Sequence, residues 1–381
     1  MRIGIDVRVL QNSQWRGQAQ YVYYLVKNLL ELDRDNQYIL FYNALNKGKF
    51  VFELDRANLK QVWCRVPGTF LRFFWHRYGH PVVDSFLGKL DIFHNPLNYS
   101  LTHYSPIPSH ARMVATFNGF ADPETIWKKF DQKMINRWFK SLKRDAWRVI
   151  AVSQGAKREL IHLAGVNEDK IRVIYYGVAD NFKPASDNGL LQENLAGWGL
   201  KDKKYILYVG ASEENKNLSR LLEAFSVISK QSRHNDIFLV LTGRIDTSFL
   251  DLSKKAEALG IGKRVIFTDF IDHDKLPLLY NGARAFILPS FAESFGIPLI
   301  EAMACGTPVL ASNIPGLTEI AKDTALFFDP KDSEGIVRVM RDILEYDSLR
   351  NSLRDKGLKL AGEFSWEKTA QKTLEVYKEL Q

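Results

Sequence analysis

Cysteine is nearly absent from this chain: Cys64 and Cys305 are the only two in 381 residues, and they lie far apart. That excludes a disulfide framework and a thiolate metal site, and it makes both thiols reduced core residues. Long hydrophobic runs are missing as well. No apolar stretch approaches the roughly 20 residues that a membrane-crossing helix needs. The opening MRIGIDVRVLQN carries Arg2, Asp6 and Arg8 and lacks the continuous apolar run of a secretory signal. The expectation is a cytoplasmic protein, at most held at the inner face of a membrane. No repeat of fixed period and no low-complexity tract stands out, which excludes solenoid and collagen-like architectures.

What is present describes a folded globular chain, with 46% hydrophobic and 25% charged residues. At 381 residues it exceeds what one hydrophobic core supports, so two domains are expected. The net charge of +8 is uneven: residues 1–190 hold 27 Lys and Arg against 17 Asp and Glu, or +10, which leaves −2 for the rest. Much of the excess sits in IWKKFDQKMINRWFKSLKRDAWRVI, where cations interleave with Trp127, Phe130, Trp138, Phe139 and Trp147. Residues 127–148 read either as a helix lying on an anionic membrane surface or as a solvated helix whose aromatics face the core. No nucleic-acid module accompanies the charge, so nucleic acid is not expected as a partner.

The chain alternates between the two periodicities. RIGIDVRVL is followed by a helix with Val22, Leu25, Val26, Leu29 and Leu30 on one face. YILFY, DIFH, MVATF, RVIAVS and IRVIYYGV follow as strands. Polar NFKPASDNGLLQEN, residues 181–194, reads as a linker, and beyond it KYILYVG, IFLVLTGR, RVIFTDF, AFILPS, PVLAS and ALFFDP restart the pattern. Alternation of this kind predicts an α/β protein with two doubly wound, Rossmann-like parallel sheets facing across a cleft. The expected boundaries are 1–183 for the first domain and 184–363 for the second, with 364–381 a helix packing back on the first.

Within LPSFAESFGIPLIEAMACGTPVLAS, Gly296 and Pro298 mark a helix start, and Gly306 with Pro308 its end. The helix between them is apolar on nearly every side, and Glu301 is its only charge. A carboxylate there is costly unless something bonds it. Near a helix N-terminus, free N–H groups and the dipole favour anions. Glu293 and Glu301 therefore read as acceptors rimming an anion site suited to a sugar nucleotide. On helix chemistry alone, Glu301 capping its own helix and Glu293 being a solvated loop acid stands equally.

FAESFGIPLIEAMACGTPVLAS resembles the donor-site signature, Glu, seven residues, Glu, of retaining glycosyltransferases of family 4, which have the two-domain GT-B fold. YVGASEENKNLSRLLEAF, DHDKLPLLYNGARAFILPS, IPGLTEIAKDTALFFDP and FSWEKTAQKTLEVYKEL extend the similarity over essentially the whole chain. The resemblance implies that Glu293 contacts donor-sugar hydroxyls and that Glu301 holds the ribose. It implies that backbone N–H groups of Phe295, Gly296, Ile297 and Leu299 face sugar and diphosphate, that Lys216 neutralises the diphosphate, and that Gly243 and Ile271 shape the base pocket. Gly17 belongs to a glycine-rich phosphate loop. The implied enzyme is a metal-independent hexosyltransferase without a cofactor, passing sugar from a nucleotide-sugar to a glycan or lipid-linked acceptor in cell-surface polysaccharide synthesis.

The chain departs from the family pattern at three places. Ala19 replaces the loop's second glycine, Asn118 and Gly119 stand where a His-Asp pair is common, and Ala211 occupies an arginine position. An asparagine amide hydrogen-bonds but takes no proton. His94 and Arg244, at neighbouring strand ends, are candidates to compensate. These departures motivate the alternative of a catalytically weak or inactive relative acting as a regulatory or assembly subunit.

Overall fold

The computed structural model describes residues 1–11, 17–43, 52, 56–96, 107–120, 132–243 and 247–381. They form two compact units, Met1–Gly177 together with Ser365–Gln381, and Val178–Phe364.

The first unit is built on a parallel sheet of β1 (Arg2–Asp6), β2 (Gln37–Asn43), β3 (Leu59–Cys64), β4 (Ile92–Asn95), β5 (Arg112–Phe117), β6 (Ala146–Ala151) and β7 (Ile171–Val173), in the order β3-β2-β1-β4-β5-β6-β7. Its order reverses between β1 and β4, the place where doubly wound sheets receive ligands. Val22, Leu25, Val26, Leu29 and Leu30 of the helix Gly17–Leu32 are all fully buried, as their spacing predicts. The strand β3 was not anticipated. It is an edge strand carrying Lys60 and Gln61, so its composition hides its pairing with β2.

The first strand stops at Asp6, earlier than the apolar pattern predicts, and Arg8–Gln11 turn as a short 3₁₀ helix. The reason is an ion pair. The Asp6 carboxylate accepts from Arg8 N, Nε and Nη2 at 3.1, 2.9 and 2.8 Å, both residues are buried, and the guanidinium lies over the Trp75 ring. Such a pair persists in a core only when hydrogen bonds satisfy both charges.

The closing helix Trp366–Lys378 belongs to this first unit. Tyr24 stacks on Trp366 at 5.4 Å, Thr369 Oγ1 donates to Tyr175 O at 2.8 Å, and Arg148 and Arg172 both grip Glu379. The chain passes so close at its start that a methyl group on Gly177 would fall 2.1 Å from Trp366 N.

The second unit repeats the plan with β8 (Lys204–Val209), β9 (Ile237–Thr242), β10 (Val265–Phe267), β11 (Ala285–Leu288), β12 (Val309–Ser312) and β13 (Ala325–Phe328), ordered β10-β9-β8-β11-β12-β13 and all parallel. All six strands lie where the sequence predicts them. The expected linker is instead partly helical. Asp187 accepts from Leu190 N at 3.1 Å and starts a helix over Asn188–Ala196, which buries Leu191 and Leu195. One capping carboxylate and two well-spaced leucines outweigh the polar composition.

The basic segment also resolves by burial. In the helix Gln132–Asp145, Ile135, Trp138, Phe139 and Leu142 are buried, and Trp138 stacks on Phe117 at 5.8 Å. Its described aromatics face the core, so they are not placed to lie at a lipid surface; residues 127–131 lie outside the described residues. Trp147, on β6, is exposed. Among the described residues no helix is long and apolar enough to cross a membrane.

Candidate active site

The second unit brings Lys216, Glu293 and Glu301 to the carboxyl ends of its strands. After β8 the chain makes a 3₁₀ turn, Glu214–Lys216, and Asn217 then adopts a left-handed conformation, φ 57°, before the helix Leu218–Ser229. Asn217 is buried, and its amide donates to Pro289 O at 3.1 Å and Pro330 O at 2.8 Å. It thereby pins the loop to the ends of β11 and β13. Phe291 N donates to Asn215 O at 2.8 Å, a second tie between the same loops.

These ties set Lys216 against Glu293. Lys216 Nζ donates to Glu293 Oε1 at 2.7 Å, and Ser290 Oγ donates to the same oxygen at 2.9 Å. The two charged side chains are 18% and 15% exposed, largely withdrawn from water yet still reachable. Glu293 lies three residues ahead of Gly296, which adopts φ 83° and starts the helix Ile297–Ala304. Only a glycine takes that conformation at no steric cost. Here it also avoids a methyl group 2.7 Å from Leu317 Cδ2.

Glu301 does not cap its own helix. It is buried, Oε1 accepts from His273 Nε2 at 2.9 Å, and Oε2 accepts from the Tyr280 hydroxyl at 3.0 Å. Burial first, and then the adjacent carboxylate, hold the Tyr280 phenol well above its ordinary range, which keeps it a donor. The Phe182 ring lies 4.8 Å from the His273 ring. Two donors, one on each oxygen, do not exhaust the carboxylate, since an ionised carboxylate offers about four acceptor positions. His273 and Tyr280 were missed as site residues, although both lie in DHDKLPLLYNG, the segment leading to the acids.

The other expected positions divide. Phe295 is buried with its ring perpendicular to Phe364, centroids 6.0 Å apart, and Ile297 is half-buried. Leu299 is buried, and its N–H donates to Gly296 O at 2.9 Å, so this one of the four expected backbone donors is occupied within the helix. Ile271 is buried. Gly243 follows β9, where a methyl group would stand 2.0 Å from Gly210 O. Close approach of two strand ends thus accounts for that glycine. Gly316 is a like case that the sequence reading missed: a methyl group there would stand 1.9 Å from Glu293 O.

In the first unit, Gly17 opens its helix, and the loop before it lies outside the described residues; so does Arg244 of the second unit. Ala19 is buried. The Ala211 carbonyl, in the second unit, accepts from the Tyr208 hydroxyl at 2.6 Å. Asn118 follows β5, and its Oδ1 accepts from the Tyr176 hydroxyl. His94 is fully buried on β4, with Nδ1 bonded to the Tyr377 hydroxyl at 2.6 Å and Nε2 to Thr116 Oγ1 at 2.9 Å. Burial lowers its pKa to about 3, so it stays neutral. Both ring nitrogens are engaged by the protein, and this corrects the expectation that His94 compensates for a missing catalytic histidine; it ties the closing helix to the sheet.

Comparison with known proteins shows the family and the fold. The model of the glycosyltransferase family 4 matches residues 15–182, and that of the glycosyl transferases group 1 matches residues 192–360. The chain is 31% identical over 299 residues to the O-antigen chain mannosyltransferase B of Escherichia coli, covering 75% of this chain and 74% of that one. It is 30% identical over 234 residues to the Escherichia coli serotype-specific mannosyltransferase WbdA, covering 61% of this chain and 29% of WbdA. HepE of Anabaena, solved in complex with UDP and glucose, aligns over 100% of both chains with a TM-score of 0.81 at 18% identity, a likeness of fold.

Proposed function

The chain belongs to the family 4, group 1 glycosyltransferases with the two-domain GT-B fold, and from that premise we propose a retaining, metal-independent hexosyltransferase. It moves a sugar from a nucleotide-sugar to a glycan or lipid-linked acceptor in cell-surface polysaccharide synthesis. The observation that carries the reading is the Lys216–Glu293 pair at 2.7 Å, three residues from the N-terminus of the helix that bears Glu301. One cation, one helix N-terminus and two acids suit a ligand that joins a diphosphate to hydroxyl-rich groups on either side.

Each group has a role in that reading. Glu301, oriented by His273 and Tyr280, accepts from ribose hydroxyls. Glu293, held by Lys216 and Ser290, accepts from hydroxyls of the donor sugar. As the bond between the anomeric carbon and the diphosphate oxygen breaks, its electron pair leaves with the diphosphate. Lys216 and the helix N-terminus stabilise the negative charge that develops there. The acceptor oxygen bonds to the anomeric carbon from the same face, and its proton passes to the departing phosphate. No histidine base is required by that route, which accommodates Asn118. The relatives named mannosyltransferases make mannose the first donor sugar to try, and HepE, solved with UDP, argues for including uridine donors.

The test is to incubate the full chain with guanosine, uridine and adenosine diphosphate sugars and an acceptor mixture, with and without chelator. Expected are release of nucleoside diphosphate from one donor class, an unchanged anomeric configuration by NMR, and a rate insensitive to chelator. The second reading rests on Asn118 and Gly119 at the His-Asp position: a regulatory relative would bind donor and release no nucleoside diphosphate. Inversion of the anomeric centre, or loss of turnover on chelation, would contradict the proposal.

A further inference from the structure

The helix Gly68–Tyr78 is apolar on two faces, and only one of them is covered. Leu71 and Trp75 are buried in the core of the first unit beside Phe41, Val83 and Phe93, and Trp75 Nε1 donates to Pro81 O at 2.6 Å. The other face repeats at i, i+3, i+4 and i+8 with Phe70, Phe73, Phe74 and Tyr78, which are 62%, 59%, 41% and 58% exposed. Phe73, Phe74 and Tyr78 touch one another as rings, with centroids 5.6 to 6.3 Å apart. The Arg77 guanidinium lies over Tyr78 at 5.3 Å. A solvated helix face carries polar residues there, and a contiguous exposed aromatic patch marks an interaction surface.

Charge selects the partner. From Arg56 to Val83 the chain carries five Lys and Arg and no acid. Arg65 and Arg77 are exposed. The next acid, Asp84, is committed, its Oδ2 accepting from Ser109 Oγ at 2.8 Å and from His110 N at 3.0 Å. Exposed aromatic rings with a cation lying over one of them, on a stretch that carries no acid from Arg56 to Val83, match a surface that is anionic outside and apolar a few ångströms within. At 11 residues the helix is about 16 Å long, enough to lie in an interface and too short to cross one.

We propose that this helix docks the protein on an anionic lipid bilayer, seating Phe70, Phe73, Phe74 and Tyr78 at the boundary of headgroups and acyl chains, with Arg65 and Arg77 on the headgroup phosphates. The site differs from the basic segment 127–148, whose described helix turns its aromatics inward. The proposal stands whether or not the chain transfers sugar.

The experiment is flotation of the full chain with vesicles of phosphatidylcholine alone and with an equal part of phosphatidylglycerol, across a salt series. Expected are flotation with the anionic vesicles that weakens as salt rises, and a fall in partitioning of roughly tenfold or more for Phe73→Ser combined with Phe74→Ser. Arg77→Glu, which disturbs no buried group, also reduces binding, and Trp147→Ser, an exposed tryptophan elsewhere, leaves it unchanged. Failure of the wild-type chain to float, or equal flotation of the serine and glutamate variants, would overturn the proposal. So would wild-type self-association in sedimentation that the serine variant abolishes, because the patch would then belong to a second copy.

Discussion

Lys216→Ala lowers release of nucleoside diphosphate from the preferred donor by roughly a hundredfold to a thousandfold, the scale seen when one preorganised electrostatic partner is removed from a transition state. The lysine Nζ lies 2.7 Å from Glu293 Oε1, so truncation removes the counter-charge of that acid and, in the proposed reaction, the cation that faces the leaving group. Glu293→Gln isolates the second effect. It keeps the shape and the lysine and loses the charge, so its turnover falls less than that of Lys216→Ala. Steady-state assays of both variants, beside melting curves that show intact folds, check the order. A Lys216→Ala protein that melts like wild type and turns over donor at the wild-type rate would remove the lysine from the chemistry.

Gly316→Ala gives the second large effect, and nothing about it touches a charge. The added methyl group would stand 1.9 Å from Glu293 O and 2.9 Å from Glu293 C, both backbone atoms that cannot rotate away. Glu293 and the turn leading into the helix Ile297–Ala304 must therefore shift. Overpacking of this kind costs about 1–3 kcal/mol of stability. Its effect on turnover is larger, because a displacement of about 1 Å in a positioning residue can cost roughly a hundredfold. Thermal melting and donor turnover, measured on the same preparation, should show a modest loss and a large one. Wild-type turnover from Gly316→Ala would mean that the position of Glu293 is not what limits the reaction.

The architecture was legible because parallel sheets bury short β-branched runs that read plainly in a sequence, as all six strands of the second unit do. The edge strand β3 was not, because Lys60 and Gln61 interrupt the run where one side of the strand meets solvent. In the site, the spacing of Glu293 and Glu301 around Gly296 and Pro298 was visible because a helix start is a local event. What orients Glu301 was hidden. His273 and Tyr280 lie 28 and 21 residues before it, and no periodicity expresses a contact made by folding. Asn217 escaped notice for the same reason, since Pro289 and Pro330, whose carbonyls it binds, are 72 and 113 residues distant. For the aromatic helices, composition alone left open which side the rings take. Trp138 and Phe139 sit among cations yet are buried, whereas Phe70, Phe73 and Phe74, to which the sequence reading assigned no element, stand in solvent.

The claim on which the account depends is that the loop bearing Lys216 and the helix bearing Glu301 grip a nucleoside diphosphate. Calorimetric titration of the full chain with uridine, guanosine and adenosine diphosphates measures this without any assumption about sugar or acceptor. The account predicts saturable binding of one of them, weakened roughly tenfold or more by Lys216→Ala and again by Glu301→Ala, as expected for losing hydrogen bonds to charged groups. Absence of binding by all three, or binding that neither substitution changes, would contradict it.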